Sequence, residues 1–230
     1  MTALAQPQRC LQPDPGDGSG PGSEDCLFLN VFTPTLPSTS NTVNTTRAKG
    51  GKAVMVWIYG GAFVTGSIND TNTDGTNLAS RGEVVVVELN YRLGNFGFLA
   101  LDDGTTNGNY GLSDLITGLR WVQRNIASFG GDPNRVTIFG ESAGAAAVYA
   151  LLASPQAKGL FHGAVMESTP GGVGANGPFT QWQSIPEEMA AAGNAVLNQT
   201  GCLNATSKVE CLRALDAAAL NYVPGSAAAK

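Results

Sequence analysis

Two stretches of this chain carry solid apolar runs, and both have the length of a strand. KAVMVWIYG (52–60) runs into the glycine-rich turn GGAFVTG, and EVVVVELNYR (83–92) carries a solid block of valines. Unbroken apolar runs, not alternation, mark strands buried on both faces. CLFLNVFTP (26–34) predicts a further strand ended by Pro34, and RVTIFG (135–140) and GAVMES (163–168) predict two more. From Leu112 the period changes. LSDLITGLRWVQRNIASF sets Leu112, Leu115, Leu119, Val122 and Ile126 at helical spacing, with Ser113 or Asp114 near its start. SAGAAAVYALLAS predicts a helix of small residues stopped by Pro155, and a Gly/Pro loop over 170–178 precedes two alanine-rich helices near 186–199 and 207–220. Residues 1–24, rich in Pro, Gly and Asp, predict neither helix nor strand. Strands alternating with helices predict an α/β protein with a mainly parallel sheet. No internal repeat is present.

Composition narrows the function classes. The chain has 230 residues, enough for a sizeable core, yet only 13% are charged against 43% hydrophobic. So few charges point to more burial than this length alone supplies. Net charge of −5 argues against a nucleic-acid partner. No run of about 18 apolar residues is available to span a membrane. The N-terminus lacks the basic start and apolar stretch of a secretory signal.

The cysteines point outward nonetheless. Cys10, Cys26, Cys202 and Cys211 form two sequence-local pairs with no Cys-x-x-Cys, and the single histidine, His162, is far from them in sequence. That spacing disfavours a metal site and favours disulfides, hence an oxidising compartment. Asn44, Asn69, Asn198 and Asn204 each head an Asn-x-Ser/Thr sequon, in keeping with a secreted glycoprotein.

GESAG (140–144) is the candidate for chemistry. In a chain this rich in glycine a chance G-x-S-x-G is expected roughly 0.2 times, so context decides. The context is a predicted strand before and a predicted helix after, the arrangement a nucleophile elbow requires. A helix N-cap serine would explain Ser142 but not the glycines on both sides. Upstream, YGGAF (59–63) leaves the strand 52–58 with consecutive small residues, able to aim backbone N–H groups at a carbonyl oxygen. The amides of Gly61, Ala62 and Ala143 are then candidate oxyanion donors.

FGGDPNRVTIFGESAG (129–144) resembles the serine signature of the type-B carboxylesterases and lipases, the cholinesterase-related branch of the α/β-hydrolases. SEDCLFLNVFTP (23–34) resembles the second signature of that family, and NYRLGNFGFLA, GNYGLSDLITGLRWVQRNIA and SPQAKGLFHGAVMES resemble its framework segments in the same order. The resemblance runs from about residue 23 to 168, and more loosely to 216. It implies an α/β-hydrolase fold, Ser142 as nucleophile, an oxyanion hole at Gly61, Ala62 and Ala143, and Glu141 as an acidic neighbour of the centre. It also implies the pairings Cys10–Cys26 and Cys202–Cys211, no cofactor, and a small-molecule or lipid ester as substrate. The Cys10–Cys26 loop looks shorter than the family's usual first loop, which favours soluble esters. Ala62 stands where many members have glycine, with its amide retained.

His162 does not qualify as the base. A helix over 142–153 carries the chain about 17 Å from the elbow, so the strand near Gly163 starts at the far edge of the sheet, whereas a base must approach within about 3 Å. Glu167 ends that strand near the right edge, but an acid with no histidine to orient has no role. In the resembling family both acid and histidine lie further along. The expectation is therefore one incomplete α/β-hydrolase domain over 1–230, lacking its C-terminal half and N-terminal strands, of low activity alone. Two other readings stand beside it: a catalytically inactive cholinesterase-like adhesion protein, and a non-functional truncated product. No oligomeric state is assigned.

Overall fold

A computed structural model describes residues 6–14, 16, 20–36, 50–170 and 184–221. Its strands form one five-stranded sheet in the order β1-β3-β2-β4-β5. These are β1 Leu29–Phe32, β2 Lys52–Ile58, β3 Val85–Leu89, β4 Gly131–Glu141 and β5 Gly163–Glu167. Strand β1 is antiparallel to β3, and every other pairing is parallel. The connections are helical: α1 Thr76–Gly82 and α2 Gly94–Phe98 flank β3, α3 Tyr110–Asn125 leads into β4, and α4 Ala143–Ala153 joins β4 to β5. Two faces of helices explain the valine blocks. Val54, Val56, Val85, Val87, Val136 and Ile138 are wholly buried, and Leu115, Leu119, Val122 and Ile126 of the predicted helical stripe lie in the same core.

Several boundaries differ from the sequence expectation. Strand β1 begins at Leu29, not Cys26, because Phe28 N–H turns back to the Cys26 carbonyl at 2.7 Å. Strand β4 begins at Gly131, four residues before Arg135, with a register shift against β2 between Lys52 and Val54. Helix α3 starts at Tyr110, behind a left-handed Asn109 with φ 61°. Asp114 therefore caps nothing. Its carboxylate, 7% exposed, takes a bidentate ion pair from Arg92 with Nε–Oδ2 and Nη2–Oδ1 both 2.8 Å.

After α4, residues 185–199 form a continuous helical run: α5 Ile185–Glu188, a wider π turn over Met189–Gly193, and α6 Asn194–Gln199. Ser184 and Glu187 form a capping box at its start. The expected helix over 207–220 is two: α7 Lys208–Arg213 and α8 Ala217–Asn221. The break falls at Asp216, whose carboxylate accepts the Ala218 N–H at 2.9 Å and restarts the chain as a new helix. Leu99, Leu101, Val196, Leu197 and Leu212 form a second small core there. The Gly/Pro loop expected over 170–178 lies, beyond Pro170, outside the described residues.

The structure joins Cys10 to Cys26 and Cys202 to Cys211. Of the four sequons, Asn44 lies outside the described residues, while Asn198 and Asn204 are exposed. Asn69 differs from them: its amide donates to the Pro7 carbonyl at 2.6 Å and its Oδ1 is buried. Strand β5 ends the sheet, and Val165 and Met166 stand 44% and 38% exposed on it.

Within the valine block of β3 sits one ionisable residue, Glu88, only 1% exposed. Asn30 Nδ2 reaches one of its oxygens at 3.4 Å, and Oε1 has no hydrogen-bond partner among the described residues. Burial pushes its carboxyl from 4.5 up to about 7, against a partial offset from hydrogen bonds to Asn30 and the Gly75 backbone, with the Asp74 charge adding to the rise. Because the folded value lies above the unfolded one, this contribution to stability is whole below pH 4.5 and lost as pH rises through 7. The span corresponds to roughly 3 kcal/mol. Glu88→Gln is expected to flatten the profile, so that urea midpoints at pH 5 and pH 8 coincide in the variant while the parent weakens at pH 8. A parent midpoint that does not move between those values would overturn this.

Candidate active site

Strand β4 ends at Glu141 and helix α4 starts at Ala143, leaving Ser142 alone on the turn with φ 53° and ψ −120°. A non-glycine residue at positive φ costs energy, and the fold must hold it there. Both backbone groups of Ser142 are engaged: its N–H donates to the Glu167 carbonyl at 3.0 Å, and its carbonyl accepts the Ala146 N–H at 3.0 Å. Its hydroxyl makes no capping bond to the helix. A serine kept as an N-cap would use that hydroxyl on the first turn. Here it is left free among the described residues, on a half-buried side chain.

The flanking glycines have a steric cause. A Cβ built on Gly144 would lie 2.0 Å from the Ile58 carbonyl oxygen and 2.8 Å from that of Tyr59. A Cβ on Gly140 would lie 2.6 Å from the Gly144 carbonyl carbon. The first turn of α4 is thus laid directly on the end of β2. That contact brings the loop after β2 beside the serine: a Cβ on Gly60 would meet Glu141 Oε2 at 2.7 Å and Ser142 Cβ at 3.1 Å.

The loop itself is a run of left-handed residues, Gly61 at φ 102°, Ala62 at 57° and Phe63 at 60°. The Gly61 carbonyl turns back into the loop, accepting Val64 N–H at 2.9 Å and Thr65 N–H at 3.0 Å. The amides of Gly61, Ala62 and Ala143 donate to no acceptor among the described residues. Ala143 opens α4, where N–H groups are unpaired by construction and the helix dipole favours negative charge. Alanine at position 62 costs roughly 1 kcal/mol relative to glycine at such a φ, and it leaves the amide in place. Serine and three free donors therefore share one edge of the sheet, the C-terminal ends of β2 and β4. Glu141 joins them, its exposed carboxylate lying against Gly60.

His162 lies at the other edge. Its N–H donates to the Val136 carbonyl at 2.7 Å, and its Nδ1 accepts the Val136 N–H at 3.3 Å. Val136 precedes Ser142 by six residues of strand, about 20 Å at 3.3 Å each. Glu167 pairs with Glu141 in the sheet register and contributes its carbonyl to Ser142, with its side chain exposed. A cavity of about 1100 Å³ lies elsewhere, lined by Asn95, Phe96, Leu99, Leu212 and Leu220 among others, and does not include Ser142. Among the described residues no group of three or more His, Cys, Asp or Glu could hold a metal ion. Among the described residues no helix is long and apolar enough to cross a membrane.

Two features beside the loop carry no signal in sequence periodicity. Gln12, in the irregular start, is 4% exposed and bonds both backbone groups of Gly66. Tyr59 and Tyr91 stack with ring centroids 4.5 Å apart and exchange hydrogen bonds.

Comparison with known proteins bears on the family and the fold. Residues 1–226 match the model of the carboxylesterase family. The chain is 45% identical over 198 residues to the para-nitrobenzyl esterase of Bacillus subtilis (strain 168), covering 84% of this chain and 37% of that protein. It is 40% identical over 221 residues to the bile salt-activated lipase of Homo sapiens, covering 93% of this chain and 27% of that protein. A solved structure of a PNB esterase superposes with a TM-score of 0.75 at 43% identity, over 93% of this chain and 40% of the other. The fold is that of the α/β-hydrolases, and this chain spans about two fifths or less of the length of these relatives. On the strength of the family match and the shared fold, this chain belongs to the carboxylesterase family.

Proposed function

We propose that this chain carries the nucleophile and oxyanion hole of a serine carboxylic ester hydrolase. The single observation that supports it most is the elbow: a strained Ser142 with a free hydroxyl, beside three unpaired amides. The Ser142 hydroxyl attacks the ester carbonyl, the oxygen of the tetrahedral intermediate rests on Gly61, Ala62 and Ala143, and the alcohol leaves to give an acyl-Ser142 ester. The substrate is a small-molecule or lipid ester, and no cofactor takes part. Glu141 lies beside the reacting centre as its acidic neighbour. The acid and base of the triad come from residues outside these 230, within one larger domain. His162, the sole histidine, is about 20 Å from the serine, and the exposed Val165 and Met166 at the sheet margin are a surface that further elements would cover. Two disulfides and exposed sequons at Asn198 and Asn204 support a secreted protein.

With nucleophile and oxyanion hole but no base, acylation is slow and deacylation slower still, so an activated ester accumulates as a covalent adduct. Incubation with p-nitrophenyl acetate, followed by peptide mass spectrometry, is expected to find acetyl on Ser142, and added imidazole is expected to speed both its formation and its loss. Absence of acetyl from Ser142 in the presence of imidazole would overturn the reading. Turnover without imidazole that matches full-length esterases would overturn the part that assigns the base elsewhere.

A further inference from the structure

The loop 60–66 is left-handed at three successive positions, with Gly61, Ala62 and Thr65 exposed, conditions under which a loop would ordinarily sample several shapes. It is nevertheless held at both ends by side chains remote in sequence. At the entry, Tyr91 Oη donates to the Tyr59 carbonyl at 2.8 Å, and Tyr59 Oη in turn donates to the Tyr91 carbonyl at 3.2 Å and accepts the Tyr91 N–H at 3.3 Å. Both rings are buried, 0% and 4% exposed, and burial raises both hydroxyls far above their ordinary pKa, so they remain donors at neutral pH. The Tyr59 carbonyl belongs to the peptide unit that leads into Gly60. Fixing that oxygen fixes the plane from which Gly61 and Ala62 follow.

At the exit, Gln12 reads Gly66 as one strand reads another. Its Nε2 donates to the Gly66 carbonyl at 2.8 Å, its Oε1 accepts the Gly66 N–H at 3.0 Å, and the second Nε2 hydrogen goes to the Cys10 carbonyl at 3.0 Å. The side chain is 4% exposed and every polar atom it has is paired. Gly66 rests against the Tyr59 ring, where an added Cβ would lie 2.4 Å from Cδ2. The two ends are therefore one unit: Gln12 presses Gly66 on Tyr59, and Tyr91 holds Tyr59. Between them, Phe63 packs edge-on to Tyr91 at 6.5 Å and against Phe98 at 4.9 Å, while its carbonyl accepts the Gly94 N–H at 2.7 Å.

We infer that Gln12 and Tyr91 are positioning residues that clamp the two ends of the oxyanion loop and so aim the amides of Gly61 and Ala62. The inference rests on the reading of those amides as oxyanion donors. Neither residue touches the reacting atoms, and each acts through the backbone it holds. The arrangement matters because an oxyanion hole works only when its donors are already oriented. Donors that must reorganise during the reaction forfeit most of their effect.

The test uses the 230-residue chain with two variants. Tyr91→Phe removes one hydroxyl, and Gln12→Met keeps the volume without the hydrogen bonds. Hydrogen exchange of the Val64, Thr65 and Gly94 amides, which bond within or onto the loop, is expected to speed about tenfold in each variant while amides of β2 and β4 keep their rates. Acetylation of Ser142 by p-nitrophenyl acetate at saturating imidazole is expected to fall about tenfold in rate with an unchanged half-saturating ester concentration. Should Tyr91→Phe fail to fold, Gln12→Met, whose residue lies outside the sheet, carries the test alone. Unchanged exchange at those three amides would overturn the clamp, and so would exchange that rises equally throughout the sheet. Faster loop exchange with no change in acetylation rate would overturn the positioning role. Absence of acetyl from Ser142 in the parent chain would instead remove the catalytic reading, with the exchange result separating that failure from failure of the clamp.

Discussion

Ser142→Ala is expected to abolish covalent acylation at this site while leaving the fold intact. Among the described residues no other hydroxyl is presented on a strained turn beside three unpaired amides, so the acetyl peptide containing residue 142 is expected to disappear from the mass spectrum with no substitute nearby. In a complete triad, loss of the nucleophile alone removes about 10⁶ in turnover. With the base proposed to lie outside these residues, a low parent rate is expected, and presence or absence of the adduct is the more sensitive readout. Stability separates a chemical cause from a structural one. The Ser142 side chain makes no hydrogen bond to α4, so its loss is expected to change stability by less than about 1 kcal/mol. Residues set for chemistry are often neutral or costly for folding, which makes a small gain on substitution equally compatible with the reading. An adduct that persists at unchanged yield in Ser142→Ala would end the case for this serine.

Gly144→Ala should have the opposite signature, a large loss of stability and with it the loss of the site. The added methyl would lie 2.0 Å from the Ile58 carbonyl oxygen, well inside contact distance, and the obstructing atom is backbone. Ile58 is wholly buried and its strand is paired on both sides, to β3 and β4, so neither the strand nor the first turn of α4 can give way locally. Overpacking of this kind costs about 3–5 kcal/mol when the backbone itself must move. A comparison glycine isolates the steric term. Gly82 ends α1 at ordinary φ, and a Cβ there would find only side-chain atoms at 3.5 Å and 3.7 Å. Gly82→Ala is expected to be neutral or stabilising by up to about 1 kcal/mol. Thermal melts of the two variants should therefore diverge widely. A Gly144→Ala melt within about 1 kcal/mol of the parent would show that the elbow tolerates a side chain, contrary to the geometry.

The divergence between those two glycines shows where sequence reading reaches its limit. Both are single letters flanked by ordinary residues, and nothing in the local pattern ranks them. GESAG states that small residues recur around the serine. It does not state that the second glycine faces a carbonyl 86 residues upstream. Glu88 makes the same point in another way. Read along the chain, one glutamate inside a valine block passes as the edge of an apolar strand. In space it faces Asn30 and Gly75 within the sheet assembly, with one oxygen unpaired and its proton affinity raised.

What the amino-acid sequence determined by itself is the alternation of buried strands and amphipathic helices, the strand–turn–helix around Ser142 and the exclusion of His162. Each depends on apolar periodicity, chain length and the rise per residue, all of which are local quantities. The paired cysteines and the family motifs likewise lie within short windows. Tertiary structure alone decided that β2 and β4 are neighbours, and hence that the Gly60–Gly66 loop stands beside the elbow. It alone turned the expected helix over 207–220 into two, through the Asp216 carboxylate. It also decided which side chains hold the site in shape: Gln12 meets Gly66 across 54 residues and Tyr91 meets Tyr59 across 32. Such contacts are specified by packing and hydrogen-bond satisfaction between distant segments. No periodicity along the chain encodes them.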